Sequence, residues 1–189
     1  MGVGTVRILP IKPKTMPVTS LQLPKKTIGL MRRNINRHLQ SGRLQINQPG
    51  EKLPLELHIF PLNQLVNLDW ASDSSSADGF LVFIGKEGDI HTAVEFFHSG
   101  KRFNYAHSIT GSRVDELVKT LNNAAIFFAS EPNLVFLSFT GHFLSDNVII
   151  RADVEGKTSY YTSAADGLTA VTQSKLAADF KALRESRVM

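Results

Sequence analysis

Hydrophobic positions beyond residue 50 recur mainly at every second residue, which is the period of a β-strand. After the turn signal Pro49-Gly50, a strand with one buried face is predicted by the alternation of Leu53, Leu55, Leu57 and Ile59. The apolar run Phe80–Ile84 predicts a buried strand. Further strands are predicted near 90–98, 102–108, 134–140, 147–153 and 157–163, with turns at 85–89, at Gly141 and at Glu155-Gly156, and a loop at 71–79.

Two segments beyond residue 100 show the helical period instead. Ser112 and Asp115 have the spacing of a capping box. Behind them, a helix to about residue 129 is predicted by one apolar face: Val114, Leu117, Val118, Leu121, Ala125 and Phe128. A short C-terminal helix is predicted by Leu176, Ala177, Phe180 and Leu183. The predicted fold class is α+β, an antiparallel sheet packed with about two helices on one face, forming a single domain over 51–189.

Residues 1–50 are predicted to form an N-terminal arm with two halves. Its first half is punctuated by Pro10, Pro13, Pro17 and Pro24, so we expect it to be extended and partly disordered. In its second half, an amphipathic helix with Thr27 as cap and Gly42 as stop is predicted by Ile28, Met31, Ile35 and Leu39. Such a helix can lie on a membrane, lie on a phosphate backbone, or dock on the body or a neighbouring subunit.

Charge divides the 189-residue chain at the same place. Residues 1–50 carry nine basic and no acidic residues, whereas residues 51–189 carry 12 basic and 17 acidic residues, so a +9 arm precedes a −5 body within a net +4 chain. This asymmetry predicts an arm that binds a polyanion, either nucleic acid or anionic lipid; the alternative is a solvated tail. The candidate polyanion-binding residues are Lys12, Lys14, Lys25, Lys26, Arg32, Arg33, Arg37 and Arg43.

Composition excludes several classes of protein. With no cysteine, the chain has no disulfide framework, no cysteine-based metal site and no cysteine nucleophile. No apolar run approaches the roughly 20 residues of a membrane span. The four prolines among the first 30 residues interrupt any signal-peptide core. We therefore expect a soluble protein of a reducing compartment, the cytoplasm, either free, at a membrane periphery or within a virion.

The chain carries no motif that names a reaction. His91, Glu95 and His98 have ligand-like spacing, but in a strand His91 and Glu95 share one face and His98 takes the other, so no metal site is predicted. His142, Ser145 and Asp146 are neighbours in sequence only, which does not make a triad. We predict no enzyme, no catalytic residues, no cofactor and no small-molecule substrate.

Aromatic pairs allow two interpretations. Tyr160-Tyr161 and Phe103 with Tyr105 have the chemistry of stacking platforms for single-stranded bases. No RNP-like motif accompanies them. Packing in the core or at a sheet edge is therefore the favoured interpretation.

Four segments beyond residue 108 share a pattern with a known family: Ser112–Phe128, Asn133–Gly141, Ser145–Asn147 and Ser174–Phe180. Together they resemble parts of the matrix proteins of rhabdoviruses. The resemblance covers about 50 residues and includes no diagnostic motif. It implies a noncatalytic structural protein that self-associates into an oligomer or polymer, contacts a nucleocapsid or RNA, and binds anionic membrane. The PPxY and PTAP motifs that many such proteins carry are absent.

Two other protein classes stay open. Small viral coat proteins also pair a basic arm with a β-rich domain, and Arg32–Gln40 resembles the arm helix of some satellite virus coats. Helices among short strands argue against an eight-stranded jelly roll. A cellular RNA-binding module is the third class. In each case, the opposite charges of arm and body allow the arm of one copy to reach the body of another.

Overall fold

The computed structural model describes residues 23–46, 56–63, 79–86, 89–99, 102–140, 148–164 and 166–186. Several sequence predictions lie outside these residues. They concern the first half of the arm with Lys12 and Lys14, Leu53 and Leu55, the loop at 71–78, and the segment 141–147 with His142, Ser145 and Asp146.

Within the described residues, eight strands form one mostly antiparallel sheet, which confirms the α+β class. Within it, only β1 and β5 run parallel, and they lie side by side at the centre of the strand order β4-β3-β2-β1-β5-β6-β7-β8. Each half of the sheet is thus a four-stranded meander. The strands are β1 (Leu57–Asn63), β2 (Gly79–Lys86), β3 (Asp89–Ser99), β4 (Arg102–Thr110), β5 (Phe136–Thr140), β6 (Ile149–Val154), β7 (Lys157–Ala164) and β8 (Gly167–Val171).

The described part of the chain has three helices, and two of them cover opposite faces of this sheet. The helices are α1 (Lys25–Gln40), α2 (Ser112–Phe127) and α3 (Gln173–Ser186). α1 packs on one face of the first meander and α2 on the other face. The prediction that the first strand buries only one face is wrong. Alternate side chains of β1 enter different cores, with Ile59 on the α1 side and Phe60 and Leu62 on the α2 side.

The sheet curves around α2. This helix contacts β3 and β4 near one edge of the sheet and β7 and β8 near the other. The C-terminal half of α2 is hydrogen-bonded to β7 and β8, because the side-chain Nδ2 of Asn123 donates to Ser163 Oγ (3.2 Å) and to Gly167 O (3.3 Å). The rings of Phe60, Phe83 and Phe139 pack in the core between α2 and the sheet. The ring of Phe60 lies edge-on to the rings of Phe83 (5.8 Å between centroids) and Phe139 (5.9 Å).

Local chemistry sets where the helices start. α2 begins after Gly111, whose φ of 64° is disfavoured for residues with a Cβ. Ser112 is already inside the helix and makes no cap hydrogen bond, so the predicted capping box is wrong. Thr27 likewise lies within α1, which starts at Lys25 after Pro24. The side-chain cap that sequence reasoning missed is Thr172, whose Oγ1 accepts from Lys175 N (3.3 Å) at the start of α3.

The hairpins follow the sequence more closely. Glu155 and Gly156 both have positive φ, 48° and 75°, which is the conformation that a two-residue hairpin turn between twisted strands requires. This turn was predicted and is confirmed. β8 was not predicted, since Gly167–Val171 contains only two large apolar residues and no clear alternation.

Candidate polyanion-binding surface

α1 has an apolar side buried against the sheet. Met31 and Ile35 are fully enclosed and contact a core that includes Phe80, Val82 and Phe96. Successive residues of an α-helix are rotated by about 100°, so positions 28, 31, 35 and 39 fall on one side. Of the three uses left open for this amphipathic helix, docking on the body is the one observed.

The opposite side of α1 is basic. Lys25, Lys26, Arg33 and Arg37 are exposed, and Arg32 is half-buried at the border with the core. Lys26 and Arg37 are separated by 11 positions, or about 16 Å along the axis. No acidic residue occurs between 1 and 50, and no ion pair to these side chains is found within the described ranges.

The turn after α1 adds a sixth cation. Gly42 takes a φ of 69° and its amide donates to Leu39 O (3.1 Å), which ends the helix where the sequence predicted. The amides of Arg43 and Leu44 both donate to His38 O. Leu44 is then buried while Arg43 stays exposed. We call Lys25, Lys26, Arg32, Arg33, Arg37 and Arg43 the basic face.

The N-terminus of α1 is electrostatically unusual. The partial positive charge at a helix N-terminus favours acidic side chains there and disfavours cations. α1 instead begins with Lys25 and Lys26, has no acidic residue in its first turn and has no side-chain cap. A bound anion would offset this local repulsion.

His38 joins the basic face to the body. Its ring stacks on Tyr105 of β4 with 3.8 Å between centroids and 17° between planes. Burial lowers the pKa of His38 below its ordinary value of 6.5, and the nearby Arg43 and Arg37 lower it further. Its Nδ1 is buried without a hydrogen-bond partner among the described residues. His38 therefore packs as a neutral aromatic ring.

The aromatic pairs serve packing. Tyr105 lies between His38 and Phe96, and Phe103 contacts Phe80. Tyr161 packs on Phe127 and Phe128 (5.2 and 5.6 Å), while Tyr160 is buried and its pKa is raised by that burial. Packing was the favoured interpretation and is confirmed; these rings are not open platforms.

A buried carboxylate paired with a histidine was not foreseen. Val94 pairs with Ser108 and Phe96 with Tyr105, so a bulge in β4 places His107 opposite Glu95. Glu95 is fully buried, and its Oε2 lies 3.4 Å from Nε2 of the half-exposed His107. The bulge is a property of strand pairing, so spacing along the sequence could not have revealed this contact. His91 is exposed on β3, and no group of His, Asp and Glu within the described ranges is arranged to hold a metal ion.

Two further surface features were missed. Arg151 of β6 makes an ion pair with Asp153 (2.9 Å), and both side chains contact Thr158 of β7. Ile126, Phe127, Leu134 and Phe136 are large, apolar and exposed. The sequence did contain these residues, but only the fold shows that they face solvent.

Comparison of the chain with protein-family models, with curated proteins and with solved structures yields no match. A bilayer-spanning helix needs about 20 residues, and none of the helices in the described ranges is long and apolar enough to cross a membrane.

Proposed function

We propose that this is a noncatalytic structural protein that self-associates and binds a phosphate-bearing polyanion through the basic face of α1. The observation that carries the proposal is six cations on one helix and its C-terminal turn, with no acidic residue nearby in sequence and a buried apolar side that fixes their orientation. Four of the six are arginines, whose planar guanidinium groups suit phosphate oxygens.

Nucleic acid is the favoured polyanion. An amphipathic helix binds a membrane by inserting its apolar side into the headgroup region. In α1 that side is occupied by the sheet, so membrane contact would rest on charge alone. A phosphate backbone needs only the charges. The basic face contains no aromatic side chain, which supports binding to backbone phosphates without base stacking.

A matrix-like role combines this binding with assembly. It is supported by the resemblance of residues beyond 108 to rhabdovirus matrix proteins, by the +9 charge of residues 1–50 and by the −5 charge of the rest. RNA or a nucleocapsid would be the first partner and an anionic lipid surface the second. The lack of cysteine suits a reducing compartment such as the cytoplasm.

A coat-protein role is less well supported. A jelly roll packs two sheets face to face. The strands of the described ranges instead form one sheet with helices on both faces. An RNA-binding module without assembly differs from a matrix-like protein in one measurable respect, since it stays monomeric.

The test is the double substitution Arg33→Gln and Arg37→Gln, with binding of labelled RNA measured by fluorescence anisotropy between 50 and 200 mM salt. If about five phosphates of a single-stranded RNA are contacted, wild-type affinity should fall roughly 130-fold over this range, and the variant should bind more weakly with a shallower salt slope. Substitution is preferable to deleting residues 1–44, since deletion would also remove Met31 and Ile35 from the core.

The matched control is Lys119→Gln with Lys157→Gln, which removes the same charge from exposed positions of α2 and β7. It should retain wild-type binding apart from a small change in net charge. Vesicles containing phosphatidylserine form the second arm of the test. Equal RNA binding by both double variants rejects the basic face, whereas vesicle binding without RNA binding assigns it to a membrane.

A further inference from the structure

Gly29 lies within α1, where a glycine lowers helix stability relative to alanine. Other glycines of this chain are required by the fold. Gly42 and Gly111 have positive φ, and a Cβ on Gly79 would collide with Phe96 O. Gly29 keeps the negative φ of a regular helix, and a Cβ built on it would contact nothing within 4 Å beyond its own stretch of helix backbone. The folded chain by itself therefore does not need a glycine at position 29.

The four positions that surround residue 29 on the helix surface are all basic. On an α-helix, the surface neighbours of a residue lie three and four positions before and after it. For Gly29 these neighbours are Lys25, Lys26, Arg32 and Arg33. No ion pair to any of the four is found in the part of the chain that the structure describes. We call these four side chains the cation ring.

The missing side chain of Gly29 leaves a depression at the centre of the cation ring. Residue 29 is rotated by about 200° from Met31, which is fully enclosed against the sheet, so the depression faces away from the core. Surface neighbours on a helix have Cβ atoms only about 5–6 Å apart, so the four long side chains can converge on one group above Gly29. A glycine also allows a ligand to approach the backbone closely.

From these observations we propose that the cation ring binds one backbone phosphate of a nucleic acid, with Gly29 as the floor of the site. The inference rests on the proposed function and names the point on the basic face where the strand comes closest to α1. Lysine and arginine donors make their strongest hydrogen bonds to charged acceptors such as phosphate oxygens. Arg37 and Arg43 lie beyond the ring and are left for further phosphates of the same strand.

Substitution of Gly29 tests the site without changing any charge. Gly29→Ala and Gly29→Leu fill the depression with residues of higher helix propensity than glycine. Gly29→Ala should raise the thermal midpoint of the free protein by about 1–4 °C. Gly29→Leu should weaken the binding of labelled single-stranded RNA roughly tenfold, the size of one lost hydrogen bond to a charged group. Gly29→Ala should give a smaller loss. Weaker binding by a more stable protein cannot be the result of misfolding.

The salt dependence of binding gives a second measurement. In Gly29→Leu, the slope of log affinity against log salt concentration should become shallower by about 0.7, which is the contribution of one phosphate of a single strand. The control Asn122→Leu places a leucine at an exposed position of α2 and should leave both affinity and slope unchanged. All three variants keep the net charge of the wild type, so a general electrostatic effect cannot separate them.

Three outcomes overturn the inference. If Gly29→Leu binds RNA like the wild type while Arg33→Gln with Arg37→Gln binds more weakly, the basic face stands and the site at Gly29 does not. If Gly29→Leu loses binding to vesicles containing phosphatidylserine but keeps RNA binding, the ring holds a lipid headgroup. A wild-type chain that binds no RNA overturns both this inference and the proposed function.

Discussion

At the scale of single residues, burial and neighbours decide roles that residue type leaves open. His38 lies on α1 and stacks on Tyr105 of β4, whereas His107 belongs to β4 and lies against the carboxyl group of Glu95. His107 lies against a carboxyl group, whereas His38 has the guanidinium groups of Arg37 and Arg43 nearby. A titratable side chain therefore cannot be assigned a role before its contacts are known.

His38 should contribute to the pH dependence of stability. Its pKa is lowered in the folded chain, so the unfolded chain binds the proton more readily, and stability is lost as pH falls below the unfolded value of 6.5. His38→Phe keeps a ring on Tyr105 but cannot titrate. We expect the thermal midpoint of this variant to fall less between pH 7.5 and 5 than that of wild type. Parallel curves would contradict this account.

At the scale of elements, the apolar side of a helix predicts that the helix packs against other elements. It does not predict which surface of the protein the helix covers. The stripe of α1 was recognisable from spacing, as was that of α2. Which faces they cover follows from the sheet, whose central strands β1 and β2 are apolar on both sides. A continuous apolar run such as Phe80–Ile84 signals cover on both faces.

Docking of α1 has a direct test in Ile35→Ala. Ile35 is fully enclosed, so its truncation should lower the free energy of unfolding by about 2–4 kcal/mol, as for other large-to-small core changes. Gln40→Ala on the exposed side of the same helix should change stability by less than about 0.5 kcal/mol. Chemical denaturation measures both. Equal, small effects would mean that α1 is not part of the core.

At the scale of the whole molecule, α2 packs against both meanders, which are also joined by the pairing of β1 with β5. Leu117, fully enclosed in α2, belongs to a core with residues of both meanders, including Phe83 and Ile150. The two halves of the sheet are therefore expected to unfold together.

Native-state hydrogen exchange tests this cooperativity. Leu117→Ala should lower the protection of slow amides in β2 and β6 by the same free energy, about 2–5 kcal/mol. Lys119→Ala, on the exposed side of α2, should leave both unchanged. Loss of protection in one meander alone would show that the halves are separate units.

Features of the fold that depend on interactions between residues close in sequence were predicted best. Strand and helix positions depend on periodicity over a few residues, so most were correct. The predicted cap at Ser112 was wrong because Gly111 takes the N-cap position, which leaves Ser112 as the first residue inside the helix. The prediction of the second meander lacked β8, because this strand has no clear apolar alternation.

For the candidate site, six of the eight basic residues lie in the described ranges, all on or directly after one helix. That helix could be predicted because the spacing of its apolar residues and its lack of acidic residues are both visible within a short stretch of sequence. The Glu95–His107 contact could not, since the pairing of β3 with β4 brings these two residues together.

The sequence by itself determined the α+β class, the amphipathic α1 and the separation of +9 from −5, because each depends on residue type and short-range order. Tertiary structure decided that helices cover both faces of the sheet, that β1 and β5 run parallel, and that the basic face points outward. These depend on which distant segments bury one another's apolar surface, a choice that periodicity alone does not make.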